Sequence, residues 1–203
     1  MNYLAINTAG KIEILLRISE QYYSSVHDDV ATAVLPHINQ LLVKANAKVE
    51  DIDVFGVCIG PGSFTGIRVG LSTIKALAYA LNKPVILVTY FDILAYDYNG
   101  GKKDLTAIID GKNNVSYIKN YDGEAADHKG ICRMSSSSEG VCIRNEDIKS
   151  YALKNIVYDI QYSGRGLKAI MEEKIRLKDF ANHNQVTPLY LRKSQPERQD
   201  GEI

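Results

Sequence analysis

The sequence feature that most constrains the fold is a glycine-rich segment, GPGSFTG, at residues 60–66. The residues before it, VFGVCI, are almost all apolar, which is typical of a central strand covered on both faces. The residues after it place apolar side chains on one helical stripe, which consists of Ile67, Leu71, Ile74, Ala78 and Leu81. A buried strand, a glycine loop and a long helix in this order indicate an α/β fold.

Two interpretations of this glycine loop are open from the sequence. Gly60 and Gly62 permit backbone angles that other residues avoid, and Ser63 or Thr65 can cap the following helix. A strand–loop–helix unit of this kind presents free amide groups that can hold an anion. The other interpretation is a tight strand-to-helix connection that needs only small residues. The loop is not a Walker A motif, because its last glycine is not followed by a lysine.

The first half of the chain predicts a three-stranded unit followed by alternating helices and strands. Strands are expected at residues 3–7, 12–18, 21–26, 54–59 and 84–88, and helices at 29–45, 66–81 and 91–98. The turn residues 8–11 join the first two strands as a hairpin. Pro36 requires that the first helix either begins close to it or is kinked in its first turns.

The second half repeats this order of elements, which predicts a duplicated fold. Strands are expected at residues 105–110, 115–121 and 156–162, a helix at 167–175 and a solvated loop at 133–140. The turn-forming residues 99–103 mark a boundary between an N-terminal lobe, residues 1–101, and a C-terminal lobe, residues 102–203. Residues 188–203 are polar and predict a tail that is ordered in part at best.

The composition limits the classes of function. The chain has 203 residues, with 24 lysine and arginine and 24 aspartate and glutamate side chains, so its formal net charge is zero. This balance argues against binding of nucleic acid by the chain's own electrostatics, because phosphate binding depends on lysine and arginine. The four histidines form no pair at metal-binding spacing, and the serines at 135–138 lack the context of a hydrolase elbow. Asp110 is the one carboxylate placed like a ligand of nucleotide-bound magnesium, although such a residue also forms turns.

The sequence also predicts the compartment. It contains no run of about 18 apolar residues, which a membrane span requires, and its N-terminus has no basic region followed by a long apolar block. Its three cysteines, Cys58, Cys132 and Cys142, are an odd number without a CxxC pair, so we expect free thiols. These features predict a cytoplasmic protein without a membrane span or a metal centre.

Five segments of the sequence occur together in the order of one known family. They are LAINTAG at 4–10, GPGSFTGIRVGLSTIKALA at 60–78, KPVILV at 83–88, AIIDGKNNVSY at 107–117 and PLYLRKSQPER at 188–198. On these motifs the chain resembles the bacterial TsaB (YeaZ) family of tRNA threonylcarbamoyladenosine biosynthesis proteins. The family's motif loop corresponds here to Gly60, Pro61, Gly62, Ser63, Phe64, Thr65, Gly66 and Arg68.

The resemblance implies an actin-like fold, of the sugar kinase/Hsp70 type, with two βββαβα-type lobes of which the second is less complete. It implies a non-catalytic subunit, related to inactive glycoproteases, that pairs with a paralogous TsaD-type threonylcarbamoyl transferase and works with a TsaE-type ATPase. The pair modifies adenosine 37 of tRNA, which we expect this chain to contact only through the complex. A homodimer is expected when the chain is alone, and no cofactor is expected.

The chain departs from the family pattern at positions that concern a nucleotide. Asn7 stands where members usually have an aspartate, and an amide supplies no negative charge for magnesium. Residues 163–166, SGRG, replace a GDG-like loop. We therefore expect at most a vestigial nucleotide site, formed by Asn7, Thr8 and Asp110. The alternative function is a stand-alone actin-fold ATPase or phosphotransferase that uses Asp110 and the glycine loop.

The partner interface is predicted on the helices at 29–45 and 66–81. The second helix carries Val69, Leu77 and Ala80 beside its main apolar stripe, and a second apolar face suggests that a partner covers it. The predicted contact residues are Val34, Ile38, Leu41, Ile67, Gly70, Leu71, Ile74 and Ala78. The small residues among them would permit a close approach between helices.

Overall fold

The computed structural model describes most of the first half of the chain and selected parts of the second. The described residues are 1–28, 34–99, 105–121, 125–126, 133–134, 141–145, 148, 153, 155–158 and 164–191. The predicted lobe boundary at 99–103 lies outside this part except for Asn99. A division of the chain at residue 101 therefore stays a proposal.

The first sheet has five strands in the order β3-β2-β1-β4-β5. Its strands are β1 (Tyr3–Asn7), β2 (Ile12–Ile18), β3 (Gln21–His27), β4 (Val54–Cys58) and β5 (Val85–Val88). β1, β2 and β3 form an antiparallel meander, whereas β4 and β5 run parallel to β1. Every residue of β1 and β4 is buried, so both faces of the sheet are covered.

The described part of the chain contains four α-helices, and three of them pack on this sheet. The four helices are α1 (Val34–Lys44), α2 (Phe64–Ala80), α3 (Tyr90–Asn99) and α4 (Gly166–Leu177). α1 and α2 contact each other and pack on the sheet through β2, β3 and β4, while α3 packs on α4. Pro36 lies in the first turn of α1, where its missing amide hydrogen is tolerated, so the helix begins close to the proline. Residues 29–33, where an earlier start was predicted, lie outside the described part.

The second sheet has four strands in the order β10-β7-β6-β11. They are β6 (Thr106–Asp110), β7 (Val115–Asn120), β10 (Val141–Arg144) and β11 (Ile156–Tyr158). β6, β7 and β10 are antiparallel and β11 is parallel to β6, which reproduces the order of β3, β2, β1 and β4. The predicted duplication is therefore confirmed, with α4 following β11 as α2 follows β4 and with no counterpart of β5 among the described strands of this sheet.

One prediction for the second half needs correction. Arg133–Met134 (β9), in the predicted loop at 133–140, pairs antiparallel with Ala125–Ala126 (β8). The predicted polar tail is ordered at its beginning, because the backbone N–H of Leu189 donates a hydrogen bond of 2.8 Å to the carbonyl of Ile59. Beyond residue 191 the tail lies outside the described part.

The largest hydrophobic cluster contains residues of both halves, and a smaller one surrounds Ile108 and Ile118 in the second sheet. The Sδ atom of Met171 on α4 lies 2.4 Å from the point where a Cβ atom of Gly56 would stand, so α4 packs directly on β4. Ala181 forms an antiparallel bridge with Val85 at the edge of the first sheet, and Val186 is buried in the same core cluster. In the described ranges, none of the helices has the length and apolar character needed to cross a bilayer.

Candidate functional site

The glycine loop packs tightly against the turn between β1 and β2. The backbone N–H of Ser63 donates a hydrogen bond of 2.7 Å to the carbonyl of Ala9. Gly62 has φ +151°, and a Cβ atom there would lie 2.3 Å from the same carbonyl oxygen. Both geometries require glycine at this position. Ser63 Oγ accepts a hydrogen bond of 3.2 Å from the N–H of Gly66 and so caps α2, as the sequence predicted.

The first turns of α2 rest on Thr8. A Cβ atom on Gly66 would lie 2.1 Å from the carbonyl oxygen of Thr8, and one on Gly70 would lie 2.3 Å from its Oγ1 atom. The side chain of Asn7 is buried, and its Oδ1 accepts a hydrogen bond of 3.0 Å from the N–H of Ala9, which fixes the turn. Asn7 and Thr8 therefore lie beside the motif loop and help to shape it.

These contacts favour the tight-connection interpretation of the loop over the anion cradle. The amides of Ser63 and Gly66 already have acceptors within the chain. Asp110 is engaged at the end of β6, where the backbone N–H and Nζ of Lys112 donate hydrogen bonds of 2.8 and 2.6 Å to its carboxylate. These hydrogen bonds hold the pKa of Asp110 below its ordinary value.

A buried polar cluster that the sequence did not predict joins the two halves. Asp92 on α3 accepts a hydrogen bond of 2.6 Å from the hydroxyl of Tyr121, and Lys119 Nζ lies 3.7 Å from the same carboxylate oxygen. Burial raises the pKa of Tyr121, and the negative charge of Asp92 raises it further. Burial also raises the pKa of the neighbouring Cys58 thiol to about 12. We interpret this cluster as a structural link between the two halves, because its charges are paired.

On the outer surface the two family motifs meet. Arg68, from the glycine-loop motif, donates a hydrogen bond of 2.8 Å from Nε to the hydroxyl of Tyr190, from the C-terminal motif. The guanidinium carbon of Arg68 lies 3.8 Å from the ring centroid of Phe64, a cation–π contact. All three side chains are exposed, and we call them the arginine clamp.

Large apolar side chains are also exposed on α1 and α2. Leu35 and Val43 on α1 expose 58% and 71% of their surface, and Tyr79 on α2 exposes 70%. The Tyr79 ring packs edge-on against His183, at 5.0 Å between centroids, so residues 183–190 run along α2 between this ring and the arginine clamp. α1 and α2 contact each other, and the outer side of each helix carries isolated exposed apolar groups.

The predicted contact residues of the partner interface are corrected by the structure. They all face this chain's own core, and they are Val34, Ile38, Leu41, Ile67, Gly70, Leu71, Ile74 and Ala78. Leu71, the most exposed side chain among them, exposes only 6% of its surface. Val69 and Leu77, taken as a second apolar face, also pack against the core. The prediction was wrong because a helical apolar stripe does not reveal whether its own sheet or a partner covers it.

Within the described ranges, no group of three or more histidine, cysteine, aspartate or glutamate side chains is arranged to hold a metal ion. Of the three cysteines, Cys58 is described as a free, buried thiol.

A family model described as TsaD, tRNA N6-adenosine threonylcarbamoyltransferase, matches residues 24–188. This chain belongs to that family. The matched range begins within β3 and includes β4, the glycine loop, α2, the second sheet and α4, so the assignment does not rest on one motif.

Curated relatives confirm the resemblance to TsaB proteins. The chain is 27% identical over 128 residues to the tRNA threonylcarbamoyladenosine biosynthesis protein TsaB of Bacillus subtilis, covering 60% of this chain and 55% of that protein. It is 42% identical over 69 residues to the tRNA N6-adenosine threonylcarbamoyltransferase of Clostridium kluyveri, covering 34% of this chain and 19% of that protein. The chain thus spans about half the length of the TsaB relative that it matches.

A solved structure confirms the fold. YeaZ from Pseudomonas aeruginosa superposes with a TM-score of 0.75 at 20% identity, covering 94% of this chain and 99% of that chain. The predicted α/β fold, with its repeated order of strands and helices, is therefore confirmed.

Proposed function

We propose that this protein acts in the biosynthesis of threonylcarbamoyladenosine in tRNA, as a non-catalytic subunit that binds a TsaD-type transferase. The observation that carries the proposal is the family match over residues 24–188, which relates this chain to the transferase itself. Amides of the glycine loop and the carboxylate of Asp110 already form hydrogen bonds within the chain, which supports a role in binding a partner over a role in phosphate chemistry. It also disfavours the stand-alone ATPase.

We place the interface on the outer side of α1 and α2. A transferase of the same family is expected to carry the equivalent pair of helices, so the two chains can pair like with like about a pseudo-twofold axis. Leu35, Val43 and Tyr79 supply apolar groups that a partner would remove from water. A second copy of this chain could use the same surface, which accounts for the homodimer expected in the absence of the transferase.

The arginine clamp supplies an anchor at one end of this surface. Arginine and tyrosine are the residue types that most often dominate binding energy at interfaces. Phe64 and Tyr190 hold the Arg68 side chain in one arrangement before binding, so little side-chain entropy remains to be lost. Its Nη groups can then donate hydrogen bonds to a carboxylate of the transferase.

The zero net charge supports an indirect role toward RNA. A chain without excess positive charge gains little from counterion release, so tRNA binding is assigned to the complex. We further propose a TsaE-type ATPase as third component and a cytoplasmic location, both on the family resemblance.

The test is co-purification with the TsaD-type transferase of the same organism, read by size-exclusion chromatography with light scattering. We expect a heterodimer with the wild type, and loss of the heterodimer with the double variant Leu35→Asp, Val43→Asp. Arg68→Ala should weaken binding by about 10- to 100-fold. Arg176→Ala, an exposed arginine on α4, is the matched control and should bind like the wild type.

Two outcomes would contradict the proposal. One is a wild-type chain that stays apart from the transferase at micromolar concentration. The other is turnover of Mg·ATP by the isolated chain, which would favour the ATPase. Binding that survives both surface variants while circular dichroism is unchanged would overturn the interface but keep the partner.

A further inference from the structure

The N-terminus of α4 is capped by a residue from another helix. The carboxylate of Asp97, near the end of α3, accepts hydrogen bonds from three consecutive backbone N–H groups. Its Oδ2 accepts from Gly164 at 3.2 Å, and its Oδ1 accepts from Arg165 at 2.7 Å and Gly166 at 2.6 Å. Asp97 is 8% exposed, so these bonds are shielded from water.

This arrangement supplies what the local sequence lacks. The first amides of a helix have no partners within the helix, and the helix dipole places positive potential there. Arg165, at the capping position of α4, does not cap the helix amides with its side chain. The remote carboxylate therefore satisfies the amides that a serine or aspartate at the cap would otherwise satisfy.

The close contact between α3 and α4 also requires a glycine at position 166. A Cβ atom on Gly166 would lie 1.9 Å from the carbonyl oxygen of Ile93, so α3 and α4 touch through their backbones. The hydroxyl of Tyr96 on α3 donates a hydrogen bond to Glu173 on α4. Asp97 thus acts at the closest point of a longer contact between the two helices.

The internal repeat relates the position of this contact to that of the glycine loop in the first half. The unit β11–loop–α4 occupies the place in the second half that β4–loop–α2 occupies in the first. A strand, a glycine-containing loop and a helix N-terminus form the arrangement on which proteins bind phosphate groups. Here the carboxylate of Asp97 accepts three backbone hydrogen bonds of the kind that phosphate oxygens would accept.

We infer that Asp97 is a built-in anion, which closes the α4 N-terminus to phosphate-bearing ligands and positions α4 on α3. In the native chain the three amides of residues 164–166 are then not available to an anion, because the carboxylate occupies them. This inference goes beyond the proposed function and is independent of the transferase.

The experiment is thermal unfolding of the full chain in phosphate and in chloride at equal ionic strength. Asp97→Ala leaves three amides without an acceptor, and we expect its midpoint to fall by about 5–10 °C in chloride. Millimolar phosphate should recover at least about half of this loss by binding in the vacated place. The wild type should show no such gain.

Two further variants control the experiment. Asp179→Ala removes the same charge from an exposed site at the other end of α4, where Asp179 pairs with Lys174, and should lower the midpoint by no more than about 2 °C without phosphate rescue. Asp97→Asn keeps an oxygen for Arg165 and Gly166 but loses the charge, so an intermediate loss is expected. It also serves if the alanine variant does not fold.

Three results would overturn the inference. The first is an Asp97→Ala midpoint equal to that of Asp179→Ala, and the second is an Asp97→Asn variant as stable as the wild type. The third is saturable stabilisation of the wild type by phosphate, which would show that the N-terminus of α4 is open.

Discussion

The hydroxyl oxygen of Thr8 lies so close to Gly70 that a Cβ atom on that glycine would stand 2.3 Å from it. Thr8 is buried, and its hydroxyl has no hydrogen-bond partner within the described part of the chain. The absence of a side chain at Gly70 therefore serves the contact between α2 and the β1–β2 turn. This explanation replaces the predicted contact between Gly70 and another protein.

Gly70→Ala should destabilise the protein by about 1–3 kcal/mol, because the new methyl group overlaps the Thr8 hydroxyl in a closely packed site. In an exposed helix the same change would stabilise by about 1 kcal/mol through helix propensity. The measurement is urea unfolding of both single variants and the double variant with Thr8→Ala. In the Thr8→Ala background we expect Gly70→Ala to be neutral or stabilising. An equal loss in both backgrounds would refute the overlap.

Gly166→Ala and Gly164→Ala should differ because two different constraints act on neighbouring glycines. At Gly166 the methyl group meets a backbone carbonyl oxygen at 1.9 Å, so α3 and α4 must separate, and we expect a loss of about 3 kcal/mol or more. At Gly164 an added Cβ atom would have no atom of the described residues within 4 Å apart from its chain neighbours, but φ is +80°, so only strain of about 1–2 kcal/mol is expected. Gly164→Asn should cost less than Gly164→Ala, since asparagine tolerates positive φ. Chemical denaturation measures the loss of unfolding free energy in all three variants. A reversed order of these losses would contradict the constraints assigned to the two glycines.

Stability should fall at alkaline pH, partly through Tyr121. Its pKa is raised in the folded chain by burial and by Asp92, whereas the phenol titrates at about pH 10 in the unfolded chain. A raised pKa in the folded state means that the stabilisation is complete below about pH 10 and is lost as the pH rises above it. The Tyr121→Phe variant should be less stable at neutral pH. Above pH 10 its free energy of unfolding should fall less steeply with pH, and the difference in slope should correspond to about one proton.

The readout is the free energy of unfolding against pH, together with the ultraviolet absorbance of tyrosinate. Ionisation of Tyr121 in a chain that keeps its native circular dichroism near pH 10 would contradict its burial. So would an alkaline decline that is unchanged in the phenylalanine variant.

The Cys58 thiol should be unreactive in the folded protein. Burial raises its pKa to about 12, so very little thiolate is present near neutral pH, and the sulfur is closed to solvent. In a Cys132→Ser, Cys142→Ser background, reaction with a disulfide reagent should be at least about 1,000-fold slower than in denaturant, because only opened molecules react. A fast reaction without denaturant would place the thiol nearer the surface.

The sequence predicts the elements of the first half well. The apolar run before the glycine loop and the stripe after it locate β4 and α2 to within a few residues, because strand and helix periods differ clearly. The sequence offered Ser63 or Thr65 as the cap of α2, and the structure shows that Ser63 is the cap.

The sequence does not predict contacts between residues that are distant along the chain. Arg68 and Tyr190 are separated by 122 positions, and Asp97 lies 67 positions before Gly164. Both partners of the first pair belong to motifs that stood out separately, yet nothing in either motif indicates that they touch. Asp97 gave no signal at all, because an aspartate near a helix end resembles any solvated acid.

The placement of Met171 over Gly56 and of Ala181 beside Val85 means that neither repeat closes its own interior. A fragment cut near residue 101 would leave β4 and the edge of β5 bare to water, and the remainder would lose the platform on which α4 rests. Because each half depends on the other for its packing, the whole chain should melt in a single calorimetric transition.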